Sequence, residues 1–138
     1  MEYPIPTGAR NVVSILIVDD EPSVCEVLEE FLVQAGYDTD TAHTGEEALE
    51  ILSRQHHDLM LLDLKMPGMG GLEVLKEIKR RSYQVGTVVI TGVEDLDLAR
   101  EVIRSGAIDY LNKPLDLKML AATIQFALKK QRIIRGAA

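Results

Sequence analysis

Three aspartates, a threonine and a lysine occupy positions from which they could handle a phosphoryl group. Asp19 and Asp20 follow the first long apolar run of the sequence, Asp63 follows the second, Thr91 follows the third, and Lys113 follows a short run near the end. If these runs are strands of one parallel sheet, the side chains meet at the carboxyl ends of the strands, where open α/β sheets bind ligands. Carboxylates, a hydroxyl and an ammonium group there would suit phosphoryl transfer, in which positioning and charge neutralisation dominate.

The charges of the three aspartates predict a cation between them. Two unit charges about 4 Å apart repel by about 4 kcal/mol at an effective dielectric constant of about 20, so Asp19, Asp20 and Asp63 together require positive charge. Oxygen ligands suit a hard ion, and we therefore expect Mg²⁺, with Mn²⁺ as a substitute, rather than Zn²⁺. The pair Asp19–Asp20 alone could simply cap a helix, but the other polar groups at strand ends favour the metal site.

Lys113 and Thr91 are the candidate phosphoryl-binding side chains. The Lys113 ammonium can neutralise charge that a divalent ion leaves over and can contact phosphate oxygens. The Thr91 hydroxyl can donate a hydrogen bond, and the Gly92 backbone amide is open to an oxyanion. A threonine at a strand end can instead cap the next turn, and that alternative stays open here.

The histidines and the single cysteine are expected to lie outside the site. His43, His56 and His57 fall in or near the loops that leave the second strand and enter the third, so we expect them to be solvated. Cys25 falls in an apolar helical stripe, which predicts a small buried side chain rather than a reactive thiol.

Continuous apolar runs predict buried strands, and periodic apolar stripes predict helices between them. We expect strands at 14–18, 37–42, 59–62, 87–90 and 110–111, and helices at 22–35, 44–54, 72–80, 96–104 and after residue 116. The second helix should open with a capping box, in which the Thr44 hydroxyl and the Glu47 carboxylate each accept from a free backbone amide. Strict alternation predicts an α/β fold, a (βα)5 doubly wound parallel five-stranded sheet of flavodoxin-like strand order 2-1-3-4-5.

Composition indicates one acidic domain. The 138 residues carry a net charge of −7, which disfavours direct nucleic acid binding by this domain. No apolar run is long enough to span a membrane and no signal-peptide pattern is present, so we expect a cytoplasmic protein. We divide the chain into a flexible leader at 1–12, a domain at 13–130, and an extension of the last helix or start of a linker at 131–138.

Four segments resemble the motifs of one family. ILIVDDE, LLDLKMPGMGG, VVITG and YLNKP, in this order and spacing, are similar to the motifs of response regulator receiver domains, the CheY-like superfamily of two-component phosphorelay signal transduction. The resemblance implies that Asp63 is the phosphoacceptor and becomes an aspartyl phosphate. It also implies that Asp20 binds Mg²⁺ directly, that Asp19 assists through water, and that the Lys65 backbone carbonyl is a further metal ligand.

The same resemblance implies how such a site acts as a switch. The phosphoryl donor would be a histidine kinase or a histidine phosphotransfer protein, and the domain would be no enzyme but a switch that assists its own phosphorylation and dephosphorylation. Thr91 would hydrogen-bond the phosphoryl group, Lys113 would contact it or Asp63, and the Lys113–Pro114 bond would be cis. Thr91 would then shift and Tyr110 would change rotamer, which alters the face of helix 4, strand 5 and helix 5, also a candidate homodimer surface.

Two glycines depart from the family pattern. Family members usually have Asp at the position of Gly70. Having glycine in place of that aspartate removes only an acidic cap at the start of the third helix. They usually have Ala or Ser at the position of Gly92, beside Thr91. A residue without a side chain there should loosen the loop and open the site, so we expect permissive phosphorylation and dephosphorylation.

Two other functions are weighed against this interpretation. Phosphatases that use an aspartate nucleophile have a D-x-D motif, in which the second aspartate is the general acid. If Asp63 were the first aspartate of such a motif, Lys65 would occupy the position of the second. A receiver-like interaction module that acts without phosphorylation would normally lack one of the aspartates or the lysine. This chain has all of them, and that alternative is left to experiment.

Overall fold

The computed structural model describes residues 12–136, over which strands and helices alternate. The strands are β1 (Ser14–Val18), β2 (Asp38–Ala42), β3 (Leu59–Leu62), β4 (Gly86–Thr91) and β5 (Asp109–Asn112). The helices are α1 (Pro22–Gln34), α2 (Gly45–Arg54), α3 (Gly71–Arg81), α4 (Leu96–Arg104) and α5 (Leu117–Gly136). Except for Val12, the leader expected at 1–12 lies outside the described residues, and so do residues 137 and 138.

The five strands form one parallel sheet in the order β2-β1-β3-β4-β5, which confirms the predicted (βα)5 flavodoxin-like fold. The central strands β3 and β4 are buried along their whole length because helices cover both faces of the sheet. β2 lies at one edge, and its sequence DTDTA is only partly covered. Within residues 12–136, none of the helices combines the length and apolar character needed to cross a membrane.

Two hydrophobic clusters hold the helices to the sheet. One contains Leu28 of α1 and Ile124 of α5, and it packs against the sheet face that carries Ile17. The other lies on the opposite face and joins Met60 of β3 to Val74 of α3. Burying each such side chain contributes about 1.5–3 kcal/mol, so the strand ends rest on a well-packed framework.

The first turn of α2 has the predicted capping box. The Glu47 backbone N–H donates to the Thr44 hydroxyl oxygen at 3.0 Å. The Glu47 carboxylate accepts from the backbone N–H of His43 at 2.6 Å, one residue before the cap. Both bonds satisfy amides at a helix start that would otherwise have no partner within the helix.

The prediction that His57 is solvated is wrong. Only 1% of the residue is exposed, and its Nε2 lies 2.8 Å from a carboxylate oxygen of Asp40 on β2. His57 lies two residues before β3, and the packing of that central strand places its ring in the interior, where Asp40 of the edge strand β2 supplies a carboxylate. His56 is exposed, as expected, with its Nε2 3.4 Å from a carboxylate oxygen of Asp58. Cys25 is buried, as predicted.

The start of α3 packs closely against the backbone that carries Asp63. The Gly71 N–H donates to the carbonyl of Leu64 at 3.0 Å. A Cβ atom on Gly71 would lie 2.5 Å from the carbonyl oxygen of Asp63 and 2.8 Å from the Cα of Leu64. Both neighbours are backbone atoms and cannot rotate away, so this position requires glycine.

We predict that Gly71→Ala lowers the free energy of unfolding by about 2–3 kcal/mol, because the added methyl group overpacks a backbone contact. Gly92→Ala is the matched control, since a Cβ at Gly92 would have no heavy atom within 4 Å and the change should cost less than about 0.5 kcal/mol. Urea unfolding followed by circular dichroism measures both values. Equal stabilities for the two variants would contradict the close packing at Gly71.

Candidate functional site

The sheet brings the predicted site residues to one edge. Asp19 and Asp20 directly follow β1, Asp63 follows β3, Thr91 ends β4 and Lys113 follows β5. These four strands are neighbours, so their carboxyl ends are adjacent. They open into one crevice, whose lining includes Asp20, Asp63, Lys65, Thr91, Gly92 and Lys113. Asp19 lies beneath this lining with 3% of its surface exposed.

Lys113 is the cation at the centre of the site. Its Nζ donates to Asp19 Oδ2 at 2.8 Å and lies 3.5 Å from Asp63 Oδ2 and 3.9 Å from Glu21 Oε1. The side chains of Asp19 and Asp63 are 4% and 6% exposed, so water screens these two contacts little. The peptide bond between Lys113 and Pro114 is cis, as the family resemblance implies.

The pKa values of Asp63 and Lys113 are shifted by their burial and by the charges close to them. Burial is the main cause that raises the pKa of Asp63, and the charge of Asp19 raises it further, against the opposing effect of Lys113. Burial alone would lower the pKa of Lys113, but its hydrogen bond to Asp19 and the charge of Asp63 outweigh burial and raise it. Lys113 therefore stays charged. Its charge does not fully offset the cost of burying the ionised Asp63 carboxylate beside Asp19.

Oxygen ligands for a hard cation lie beside this lysine. Carboxylate oxygens of Asp19, Asp20 and Glu21 lie within 4.8 Å of one another. Asp19 already accepts from Lys113 through Oδ2 and from the Glu21 backbone N–H through Oδ1, at 2.9 Å. Asp20 is only half-buried, at the rim of the crevice. This donor set fits Mg²⁺ better than it fits a thiolate- or imidazole-bound metal.

Thr91 is linked to Tyr110 through one residue of the loop after β4. The Thr91 hydroxyl oxygen accepts from the Val93 N–H at 3.2 Å, so in this structure it caps the turn. The Tyr110 hydroxyl donates to the Val93 carbonyl at 2.6 Å and does not line the crevice. The Thr91 hydroxyl also acts on Asp63, where it lowers the pKa of the carboxyl against the effect of burial. Gly92 leaves open space beside these groups.

Two contacts of the site were missed by the reasoning from sequence. The Asp19 carbonyl oxygen lies 3.2 Å from His43 Nδ1 and 3.4 Å from Cys25 Sγ. His43 is exposed overall, as expected, yet its ring reaches the backbone of the acidic turn. No sequence pattern signals this contact, because it depends on how the loop after β2 lies over the end of β1.

Comparisons with known proteins agree with this geometry. The family model described as response regulator receiver domain matches residues 15–125. The transcriptional regulatory protein ZraR of Klebsiella oxytoca is 40% identical over 121 residues, which are 88% of this chain and 27% of that protein. The DNA-binding transcriptional regulator NtrC of Escherichia coli is 40% identical over 114 residues, which are 83% of this chain and 24% of that protein. The chain thus spans about a quarter of the length of these relatives.

A solved structure shows the same architecture. The crystal structure of a CheY-like response regulator receiver domain protein from Methanospirillum hungatei is similar with a TM-score of 0.84 at 28% identity. The similarity covers 88% of this chain and 98% of that one. From the family match, the relatives and the strand order together, the chain belongs to the response regulator receiver family of two-component signal transduction.

Proposed function

We propose that Asp63 accepts a phosphoryl group from a phosphohistidine on a histidine kinase or a histidine phosphotransfer protein, and that the aspartyl phosphate switches the domain. The observation that carries this proposal is the placement of the Lys113 ammonium, 2.8 Å from Asp19 and 3.5 Å from Asp63. A cation held between two nearly buried carboxylates is already in position to receive the negative oxygens of a phosphoryl group.

The metal assignment follows the family resemblance, and the acidic cluster of Asp19, Asp20 and Glu21 supports it. As the resemblance implies, Asp19 is assigned a contact through water, and both of its carboxylate oxygens already accept hydrogen bonds from the protein. Asp20, Asp63 and the Lys65 carbonyl are assigned as direct ligands of Mg²⁺, with Mn²⁺ as a substitute. Bound there, the ion would neutralise carboxylate and phosphoryl oxygens and hold them in place.

The transfer requires no other nucleophile. A carboxylate oxygen of Asp63 attacks phosphorus in line, a P–O bond forms, and the P–N bond to the donor imidazole breaks, with the electron pair leaving on nitrogen. Lys113 and the Gly92 amide hold the phosphoryl oxygens. Hydrolysis of the acyl phosphate by water later restores Asp63. The domain thus assists its own phosphorylation and dephosphorylation.

The switch would act through the contacts around Val93. The Thr91 hydroxyl accepts from the N–H of Val93, and Tyr110 donates to its carbonyl. When Thr91 turns to donate to a phosphoryl oxygen, it releases this N–H, and the loop carrying the Tyr110 acceptor is free to move. The phosphorylated state therefore favours a different Tyr110 rotamer and a different face of α4, β5 and α5.

The same face is the proposed surface for a homodimer. Leu96 and Ile103 of α4 are 68% and 46% exposed, and Phe126 of α5 is 48% exposed. The two helices lie on opposite faces of the sheet and both contact β5. Exposed apolar side chains along such an edge are typical of protein contacts. The net charge of −7 argues against direct nucleic acid binding by this domain.

Incubation with Mg²⁺ and acetyl phosphate, followed by intact-mass measurement, tests the proposed acceptor. We expect the wild type to gain one phosphoryl group and Asp63→Asn to gain none, because an amide is not a nucleophile here. Asp97→Asn, at a carboxylate that is 94% exposed on α4, is the matched control and should be phosphorylated like the wild type. A gain that persists in Asp63→Asn would move the acceptor elsewhere. Absence of any gain in the wild type would favour the interaction module that acts without phosphorylation.

The raised pKa of Asp63 gives a pH dependence of stability. The folded protein binds this proton more tightly than the unfolded chain, so the stabilisation from this carboxyl is complete below the ordinary carboxyl pKa and is lost as the pH rises through the raised one. Asp63→Asn should therefore be more stable than the wild type at pH 7, by on the order of 1 kcal/mol. The difference should shrink as the pH falls, and urea titrations across this range measure it. A difference that grows on acidification would contradict this account.

Gly92→Ala tests the open space beside Thr91. The added methyl group meets no heavy atom within 4 Å, so the fold should be unchanged while access to the acceptor narrows. We expect phosphorylation by acetyl phosphate and subsequent dephosphorylation each to slow by about threefold, equivalent to about 0.7 kcal/mol in the barrier. Time courses of intact mass measure both rates. Unchanged rates in both directions would refute the prediction.

A further inference from the structure

The backbone carbonyl of Asp19 is contacted by two side chains that the proposed chemistry does not use. His43 Nδ1 lies 3.2 Å from this oxygen and Cys25 Sγ lies 3.4 Å from it, while the nitrogen and the sulfur are 3.8 Å apart. Both groups come from outside the crevice, since Cys25 belongs to α1 and His43 to the loop between β2 and α2. The acidic turn after β1 is therefore held from behind by two other elements.

Because the Asp19 carbonyl oxygen is an acceptor, the two atoms that contact it must be the hydrogen-bond donors. A carbonyl oxygen can only accept hydrogen bonds, so at the 3.2 Å contact His43 Nδ1 carries the hydrogen. Burial raises the pKa of the Cys25 thiol to about 11, so its sulfur also carries a hydrogen and is a weak donor. Of the two, the imidazole N–H is the stronger donor and makes the shorter contact.

His43 is itself held in place by the first turn of α2. Its backbone N–H donates to the Glu47 carboxylate at 2.6 Å, and the Glu47 N–H donates to the Thr44 hydroxyl at 3.0 Å. The ring therefore projects from an anchored backbone. A continuous set of hydrogen bonds runs from the capping box of α2 through His43 to the carbonyl of Asp19.

The orientation of the Asp19 carbonyl determines the orientation of the backbone from which the Asp20 side chain extends. The carbonyl and the Asp20 N–H belong to one planar peptide group, so fixing the oxygen fixes the plane from which the Asp20 side chain departs. On the other side of Asp19, its backbone N–H donates to the carbonyl of Ala42 at 3.1 Å. The backbone N–H and the carbonyl of Asp19 are thus both hydrogen-bonded, and His43 is one of the two side chains that restrain the peptide between Asp19 and Asp20.

We propose that His43 is a positioning residue of the metal site, whose Nδ1–H holds the peptide between Asp19 and Asp20 so that the Asp20 carboxylate stays beside those of Asp19 and Glu21. The inference rests on the proposed function, because it takes Asp20 as a metal ligand. His43 touches neither metal nor phosphoryl group. Its contribution is a restrained peptide orientation, which lowers the cost of assembling the oxygen ligands around an ion.

Two substitutions of His43, by asparagine and by leucine, have nearly the same shape and distinguish the hydrogen bond that His43 donates from the packing of its side chain. In His43→Asn the side-chain amide nitrogen stands at the same number of bonds from the backbone as Nδ1 and can donate, whereas His43→Leu places a methyl group there. His56→Leu removes an exposed imidazole at the opposite end of the sheet and serves as the control. In each metal-free protein, the amide nitrogen shift of Asp20 reports by NMR on the hydrogen bond to the preceding carbonyl. Calorimetric titration with Mg²⁺ then gives the affinity.

We expect His43→Leu to move the Asp20 amide signal and to weaken Mg²⁺ binding about fivefold, the effect of losing one hydrogen bond of ordinary strength. His43→Asn should restore most of the affinity, and His56→Leu should match the wild type. Wild-type affinity in His43→Leu, or equal loss in the Asn and Leu variants, would overturn the positioning role.

The titrations also separate this inference from the function on which it rests. If Asp20→Asn bound Mg²⁺ as well as the wild type did, the proposed metal site would fail, whatever His43 does. If Asp20→Asn lost binding while His43→Leu kept both the affinity and the Asp20 amide shift, the metal site would stand and only the role of His43 would fall.

Discussion

The position of one ammonium group among buried carboxylates is the constraint on which the rest of the site depends. Lys113 lies 2.8 Å from Asp19 and 3.5 Å from Asp63, and both aspartates are almost fully removed from water. One positive charge does not balance the acidic groups of this edge. The pKa of Asp63 is raised mainly by burial and further by the charge of Asp19, and Lys113 offsets these effects only in part. A folded state that carries this excess negative charge is less stable than it could be. In the proposed function, a divalent cation would neutralise this excess negative charge, which would otherwise repel the negative oxygens of a phosphoryl group.

The fold keeps these charges close although they repel one another. Each charged residue follows a strand of one parallel sheet, and the strands are fixed by hydrophobic clusters on both faces. Local contacts refine the arrangement. Gly71 lets α3 approach the backbone of Asp63, and His43 and Cys25 contact the carbonyl of Asp19. Stability gained in the core therefore offsets the repulsion at the strand ends, where it serves function.

Much of this arrangement could be predicted from sequence because it follows from periodicity. Buried parallel strands appear as continuous apolar runs, and the polar residue after each run must lie at the carboxyl edge, so Asp63 and Lys113 could be located without coordinates. Contacts between loops have no such pattern. The burial of His57 depends on its meeting Asp40 from an edge strand, and the His43 contact depends on the path of the loop after β2. The sequence around each of these two histidines is no different from that expected around a solvent-exposed histidine.

The central claim is that the strand-end charges converge on Asp63 as the single acceptor. Reductive trapping tests it most directly, because borohydride converts an aspartyl phosphate to homoserine and leaves free carboxylates unchanged. After incubation with Mg²⁺ and acetyl phosphate, reduction and proteolysis, tandem mass spectrometry identifies the modified position. The account predicts homoserine at position 63 and intact aspartate at 19 and 20. Homoserine at 19 or 20, or a phosphoryl gain with no homoserine anywhere, would contradict it.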